Sequence, residues 1–141
     1  MVAYSFAPQF IEPIVTRAKR QTVRAERRRH AREGEAIQLY TAMRTKQCRK
    51  LIEPDPICIG VQPITITIDA QAEQLITGIT VGHVALSDVG IERFAERDGF
   101  GSLAQGFARR RMGEFWLKAH AELGARWVDF EGVCIRWGWP S

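Results

Sequence analysis

The segment Arg17 to Lys50 concentrates the side chains best suited to holding an anion. It has twelve Lys or Arg against three Glu, a local charge of +9 in a chain of +4, leaving −5 for the other residues. A polyanion such as nucleic acid would meet one basic region on an otherwise acidic surface. Most of these cations are arginines, whose planar fork fits phosphates and bases. Thr22, Val23, Ile37, Leu39 and Tyr40 are threaded through the run, which predicts folded structure rather than a tail. A basic face that is merely solvated is the competing reading. Within the run, Gln21-Thr22-Val23-Arg24 alternates as a strand does. That places the Thr22 hydroxyl and the Arg24 guanidinium on one face and Val23 on the other. Lys19 delivers an ammonium beside them.

Several elements must position these groups. Val2 to Ala7 reads as an edge strand. Phe10, Ile11, Ile14, Val15 and Ala18 fall on one helical face, with Pro13 tolerated in the first turn and the helix ending near Lys19. After an Arg/Glu-rich loop, Gly34 turns the chain into a strand over 36–41. Ile57, Ile59 and Val61, then Ile64, Ile66 and Ile68, alternate as strands on either side of Pro63. A further alternating run over 76–86 is weakened at Gly78 and Gly82. Ser87 or Asp88 caps a helix with Ile91, Phe94 and Ala95 inward, stopped by Gly99. Ser102 and Gln105 have capping-box spacing. The helix they open would bury Met112, Phe115, Trp116, Ala119 and Leu123 and end before Gly124. Trp127 to Phe130 and Val133 to Trp137 form a strand pair or one bulged strand. The expected fold is α+β, a small, partly open β-barrel of about five or six strands with flanking helices.

The length of 141 residues suits one domain over 1–141 with its own core. Hydrophobic residues at 45% and charged residues at 26% are ordinary for a soluble protein. No apolar run approaches the roughly 18 residues of a membrane span, and the start shows no secretory signal pattern. Cys48, Cys58 and Cys134 are odd in number and widely spaced. Neither a disulfide framework nor a metal site is expected, and the compartment reads as cytoplasmic. No cofactor is implied.

Three segments in order carry a family resemblance: Lys19-Arg20-Gln21-Thr22-Val23-Arg24, then Gly34-Glu35-Ala36-Ile37-Gln38-Leu39-Tyr40, then Phe94-Ala95-Glu96-Arg97-Asp98-Gly99-Phe100. From about Phe6 to Trp137 the chain resembles the ASCH domain family of the PUA-like folds. The resemblance implies a β-barrel with a cleft regarded as an RNA or nucleotide site. The Lys-x-x-Thr-x-Arg segment is most similar to a small bacterial branch that deacetylates 4-acetylcytidine with a lysine, a threonine and a glutamate. Carried over, these roles fall on Lys19, Thr22 and, as a shorter carboxylate, Asp98. One methylene fewer retracts the carboxylate by roughly 1.5 Å, and about 1 Å of misplacement can cost on the order of 100-fold in rate. Glu96 is a neighbouring substitute on another side of the turn.

The resemblance implies RNA or a modified nucleoside as partner. The function expected is base recognition in a basic cleft; the alternative is a hydrolase in that cleft, either an amidohydrolase on an acylated pyrimidine nucleoside or a ribonuclease. For the hydrolase, Arg17, Arg20, Arg24 and burial would lower the Lys19 pKa. The neutral amine would take the Thr22 proton. The competing structural reading makes Lys19 a cation at a helix C-terminus and Thr22 an ordinary strand residue. Arg20, Arg24, Arg27, Arg28, Arg29, Arg44 and Lys46 are candidate nucleic-acid contacts, and Tyr40 a candidate stacking residue or a core aromatic. His30, His83 and His120 share no ligand spacing, with His83 expected in an apolar strand. Trp116, Trp127 and Trp137 are expected in the core or at its rim, with Trp139 the most exposed of the four.

Overall fold

The structure, a computed structural model, describes residues 2–101, 106–120, 122 and 124–140. Among these residues the fold is α+β, with three α-helices and two sheets. The strands are β1 (Val2–Phe6), β2 (Gln21–Ala25), β3 (Ile37–Thr41), β4 (Arg49–Lys50), β5 (Ile57–Asp69), β6 (Ile76–Val81), β7 (Val84–Ala85) and β8 (Trp127–Gly138). One sheet runs β1-β3-β4 and the other β2-β8-β5-β6-β7. The β1–β3 pair is parallel, and the remaining ladders are antiparallel.

The expected single barrel of five or six strands gives way to eight strands in two sheets, and no ring of paired strands closes among the described residues. The sheets meet at an Ala36–Ile57 bridge, reinforced where the Cys58 N–H donates to the Glu35 carbonyl at 2.8 Å. The edge strands β1 and β2 are joined by side chains instead of a ladder. Arg24 Nη2 donates to the Ser5 carbonyl at 2.7 Å, and Arg27 Nη2 to the Ala3 carbonyl at 3.4 Å. Guanidinium groups thus occupy acceptors that a closing strand would need.

The core follows the period-2 pattern where the pattern is strict. Ile64, Ile66 and Ile68 are buried with Ile76 and Ile79 from β6. Each such side chain contributes roughly 1.5–3 kcal/mol when removed from water. Upstream the register shifts between Cys58 and Gly60. Cys58 is therefore buried while Ile59, at 53% exposure, faces out. Pro63 lies inside one continuous strand, just before the β5–β6 ladder begins at Ile64–Val81, so its missing N–H breaks no rung there. The 76–86 run is a hairpin, with Gly82 at φ 62° in the turn. His83 is accordingly exposed in that turn, not in an apolar strand. The C-terminal segment is one unbroken strand, β8, lying between β2 and β5.

Among the helices, α1 (Ile11–Val15) follows a 3₁₀ turn over Pro8–Phe10 and ends before Lys19. Phe10 and Ile14 are buried, whereas Val15 and Ala18 are exposed. The chain turns away at Arg17, φ 66°. Helix α2 (Asp88–Arg97) is capped by Ser87, whose hydroxyl accepts from the Gly90 N–H at 3.1 Å. Ile91, Phe94 and Ala95 are buried as their spacing requires. Helix α3 (Ala108–His120) buries Met112 and Trp116, with Phe115 half-buried and Ala119 exposed. The Ser102–Gln105 capping box and Leu123 lie outside the described residues. Trp127 is 55% exposed, whereas Trp139 is half-buried and donates to the Pro54 carbonyl at 3.0 Å. No helix among the described residues is long and apolar enough to cross a membrane.

Candidate functional site

Lys19 lies in the short extended link between α1 and β2. Its N–H donates to the Pro13 carbonyl at 2.9 Å, and the next carbonyl, of Arg20, accepts from the Trp137 N–H at 2.9 Å. Anchored on both flanks, the side chain runs inward and is only 2% exposed. It is therefore not a solvated cation at a helix end. Its Nζ donates to the Asp98 backbone carbonyl, lies 3.5 Å from Asp98 Oδ1, and sits 4.6 Å from the centre of the Phe10 ring. Gly99, at φ 98°, makes room for this packing. A Cβ there would meet Lys19 Cδ at 2.9 Å and Phe10 Cδ1 at 3.0 Å.

Asp98 is the C-cap of α2 and is 4% exposed. Its Oδ1 also accepts from Gln21 Nε2 at 3.2 Å. Burial pushes Asp98 above the usual carboxylate range, opposed by Lys19 and the Gln21 hydrogen bond. Burial likewise pushes Lys19 below the usual amine range, opposed chiefly by Asp98. Of the neighbouring arginines, Arg24 contributes to lowering Lys19. Arg17 and Arg20 instead sit against the Trp139 ring, at 4.1 and 5.8 Å. Glu96 does not reach this pair; it lies 3.6 Å from Arg93 Nη1.

Thr22 and Arg24 share a face of β2, as alternation predicts. Arg24 Nε donates to Thr22 Oγ1 at 3.0 Å. The guanidinium rests 4.8 Å from the Phe6 ring centre and 5.3 Å from that of Tyr4. β2 approaches β8 closely at Gly132, where a Cβ would collide with the Arg24 carbonyl.

Lys19, Thr22, Arg24 and Asp98 line one cavity of about 270 Å³, walled by Phe6, Phe10, Phe100 and Trp116. That is just under the roughly 300–1,000 Å³ of drug-sized sites. An amine, a hydroxyl, a guanidinium and a carboxyl group therefore converge on an aromatic-walled space. His120 also lines it, its ring stacked 4.5 Å from that of Trp116, and burial lowers its pKa. His120 carried no expected site role, although its i, i+4 spacing from Trp116 puts both on one helix face. Gln21 was equally unexpected here: nothing local signals a contact 77 residues away.

The remaining sequence candidates do not enter the cavity. Arg27 and Arg28 are exposed beyond the end of β2, with Arg27 stacked 4.5 Å from Tyr4. Arg29 pairs with Glu35. Tyr40 is half-buried on β3, 3.4 Å from Gln38 Oε1, and Arg20, Arg44 and Lys46 are exposed. His30 bonds Tyr4 at 3.0 Å and the Ala25 carbonyl at 2.9 Å, tying the basic loop to β1 and β2. No group of three or more His, Cys, Asp or Glu able to hold a metal is present among the described residues. No family model, curated protein or solved structure matches this chain.

Proposed function

We propose that this protein recognises a nucleobase of RNA or of a free nucleotide in the cavity between β1, β2, α2 and α3. The observation that carries this reading is the convergence of Lys19, Thr22, Arg24 and Asp98 with Phe6, Phe10 and Trp116 on one cavity. Aromatic walls supply stacking surface, and the polar groups supply donors and acceptors for a base edge. The basic residues Arg27 and Arg28 lie two and three positions beyond Ala25, which lines the same cavity, with Glu26 between, so a strand entering it would pass cations suited to phosphates. The order of segments resembling the ASCH family, with its PUA-like barrel and cleft, supports the same reading. Calorimetric titration with nucleosides and short single-stranded RNA tests it: saturable binding weakened by Phe10→Ala is expected, and no binding by any of them contradicts it.

A second reading, an amidohydrolase on an acylated pyrimidine nucleoside, is favoured by the Arg24–Thr22 hydrogen bond. A guanidinium N–H on Thr22 Oγ1 stabilises alkoxide character there. Burial favours the neutral Lys19 amine that would accept the hydroxyl proton. Attack on the acyl carbon would form an acyl-threonine and release the base amine, and water would then free the acid. Incubation with 4-acetylcytidine followed by mass analysis separates binder from hydrolase: cytidine appears only with turnover.

A further inference from the structure

Arg24 is a half-buried guanidinium with two of its donor nitrogens committed and no carboxylate at ion-pair distance among the described residues. Both committed bonds go to neutral oxygens, Thr22 Oγ1 and the Ser5 carbonyl. Nη1 has no protein acceptor among the described residues. The carboxylate lining the cavity, Asp98, is engaged by Lys19 and Gln21. The Lys19–Asp98 pair adds no net charge whether it is an ion pair or has exchanged its proton. Arg24 cannot lose its proton at ordinary pH, so its positive charge stands uncompensated by any other charge lining the cavity. A half-buried charge is less screened by water than an open one, so a compensating anion gains there. The Phe6 and Tyr4 ring faces supply only part of that compensation.

We propose that Arg24 Nη1 marks a subsite for the phosphate group of a nucleotide, beside the base, inside the same cavity. The inference rests on the base-binding reading and specifies its ligand as an anion and not a neutral nucleoside. A guanidinium already fixed by Thr22 and Ser5 presents its free N–H groups with little further loss of side-chain freedom, and its planar fork suits phosphate oxygens. A cavity of about 270 Å³ limits the ligand to a single nucleotide unit at most. The phosphate belongs either to a free nucleotide or to the terminal nucleotide of an RNA.

Titration calorimetry with cytidine, cytidine 5′-monophosphate and inorganic phosphate tests this. The nucleotide should bind about tenfold or more tighter than cytidine, the scale of one charge-assisted hydrogen bond. Arg24→Gln should abolish that advantage, leaving cytidine and its monophosphate with the same affinity, and Arg24→Lys should retain part of it. If Arg24→Gln fails to fold, the Arg24 side-chain N–H resonances of the wild type serve instead: they should shift with the nucleotide but not with cytidine. Equal affinity for cytidine and its monophosphate overturns the phosphate subsite and leaves base binding intact. Phosphate binding without any nucleoside binding overturns the base reading and leaves the anion site. Binding of none overturns both. A trinucleotide RNA with and without a 5′-phosphate identifies the source: the same advantage there assigns RNA ends, and an advantage confined to the monophosphate assigns free nucleotide.

Discussion

Lys19 Nζ lies 3.5 Å from Asp98 Oδ1, although 79 residues separate the two along the chain. The contact joins the link before β2 to the end of α2, and it does so with both side chains almost wholly removed from water. It is the point through which fold and site depend on one another.

Breaking that pair should cost stability directly. Lys19→Met leaves a buried carboxyl without its cation, and Asp98→Leu leaves a buried amine without its anion. Each should lose about 3–5 kcal/mol, whereas the double variant should recover much of the loss because neither charge is left orphaned. Denaturant unfolding of the three variants measures this. Additive losses would show that the two groups do not interact.

Gly99→Ala should disturb the site without removing any polar group. The new methyl meets Lys19 and Phe10 at sub-contact distance and holds a left-handed backbone conformation that alanine resists. A loss on the order of 1–3 kcal/mol is expected, together with a shift of the Lys19 side-chain resonances. Unchanged resonances would mean the Lys19 stem is not held by this wall.

Cys134 gives a pH dependence with a definite sign. Burial, then the nearby Asp98, pushes its thiol from the ordinary value of 9.0 up to about 12. Between those values the unfolded chain has lost a proton that the folded chain keeps. Stability should therefore fall as pH rises from about 9 toward 12, by at most about 1.4 kcal/mol per unit from this group. Cys134→Ala should lack that component, read as the difference between the two stability profiles. In the native protein at pH 8, alkylation should mark the exposed Cys48 and spare Cys58 and Cys134.

The basic loop should show itself in the salt dependence of RNA binding. If Arg27, Arg28 and Arg29 meet phosphates, affinity should fall with salt at a slope near −0.7 per neutralised phosphate on single strands. Replacing all three by Ala should flatten that slope. Arg29 should contribute least, because Glu35 already holds it. An unchanged slope would mean the loop is only a solvated face.

If the cavity turns over an acylated nucleoside, Thr22→Ala and Lys19→Ala should each remove nearly all turnover. The double variant should be little worse, since groups acting as a unit are not additive. Asp98→Glu should raise the rate if the shorter carboxylate limits it. Product formation followed by mass analysis reports all four variants.

The strict alternations and helical faces are legible in residue spacing alone. Ile64, Ile66 and Ile68, the Ser87 cap, and the shared face of Thr22 and Arg24 follow from local pattern, and the structure has them there. Register is what spacing does not supply. The shift at Cys58–Gly60 turns Ile59 outward, and the hairpin at Gly82 puts His83 in solvent. Sheet closure is likewise illegible, because it depends on whether backbone or guanidinium groups take the outer carbonyls of β1. The candidate site is half visible: Lys19, Thr22 and Asp98 stand out by type and resemblance, and Trp116 and His120 share a helix face by spacing, while Gln21 joins through a contact with no local signature.

Whether this cavity holds a base is the central question, and Trp116 in its wall is a built-in reporter. Single-tryptophan protein keeping Trp116, with Phe at 127, 137 and 139, should show saturable fluorescence quenching by a pyrimidine nucleotide, and Phe10→Ala in that background should weaken it about tenfold or more, the scale of losing one stacking wall. Quenching that never saturates, or saturates equally well with Phe10 replaced, would contradict a base bound in this cavity.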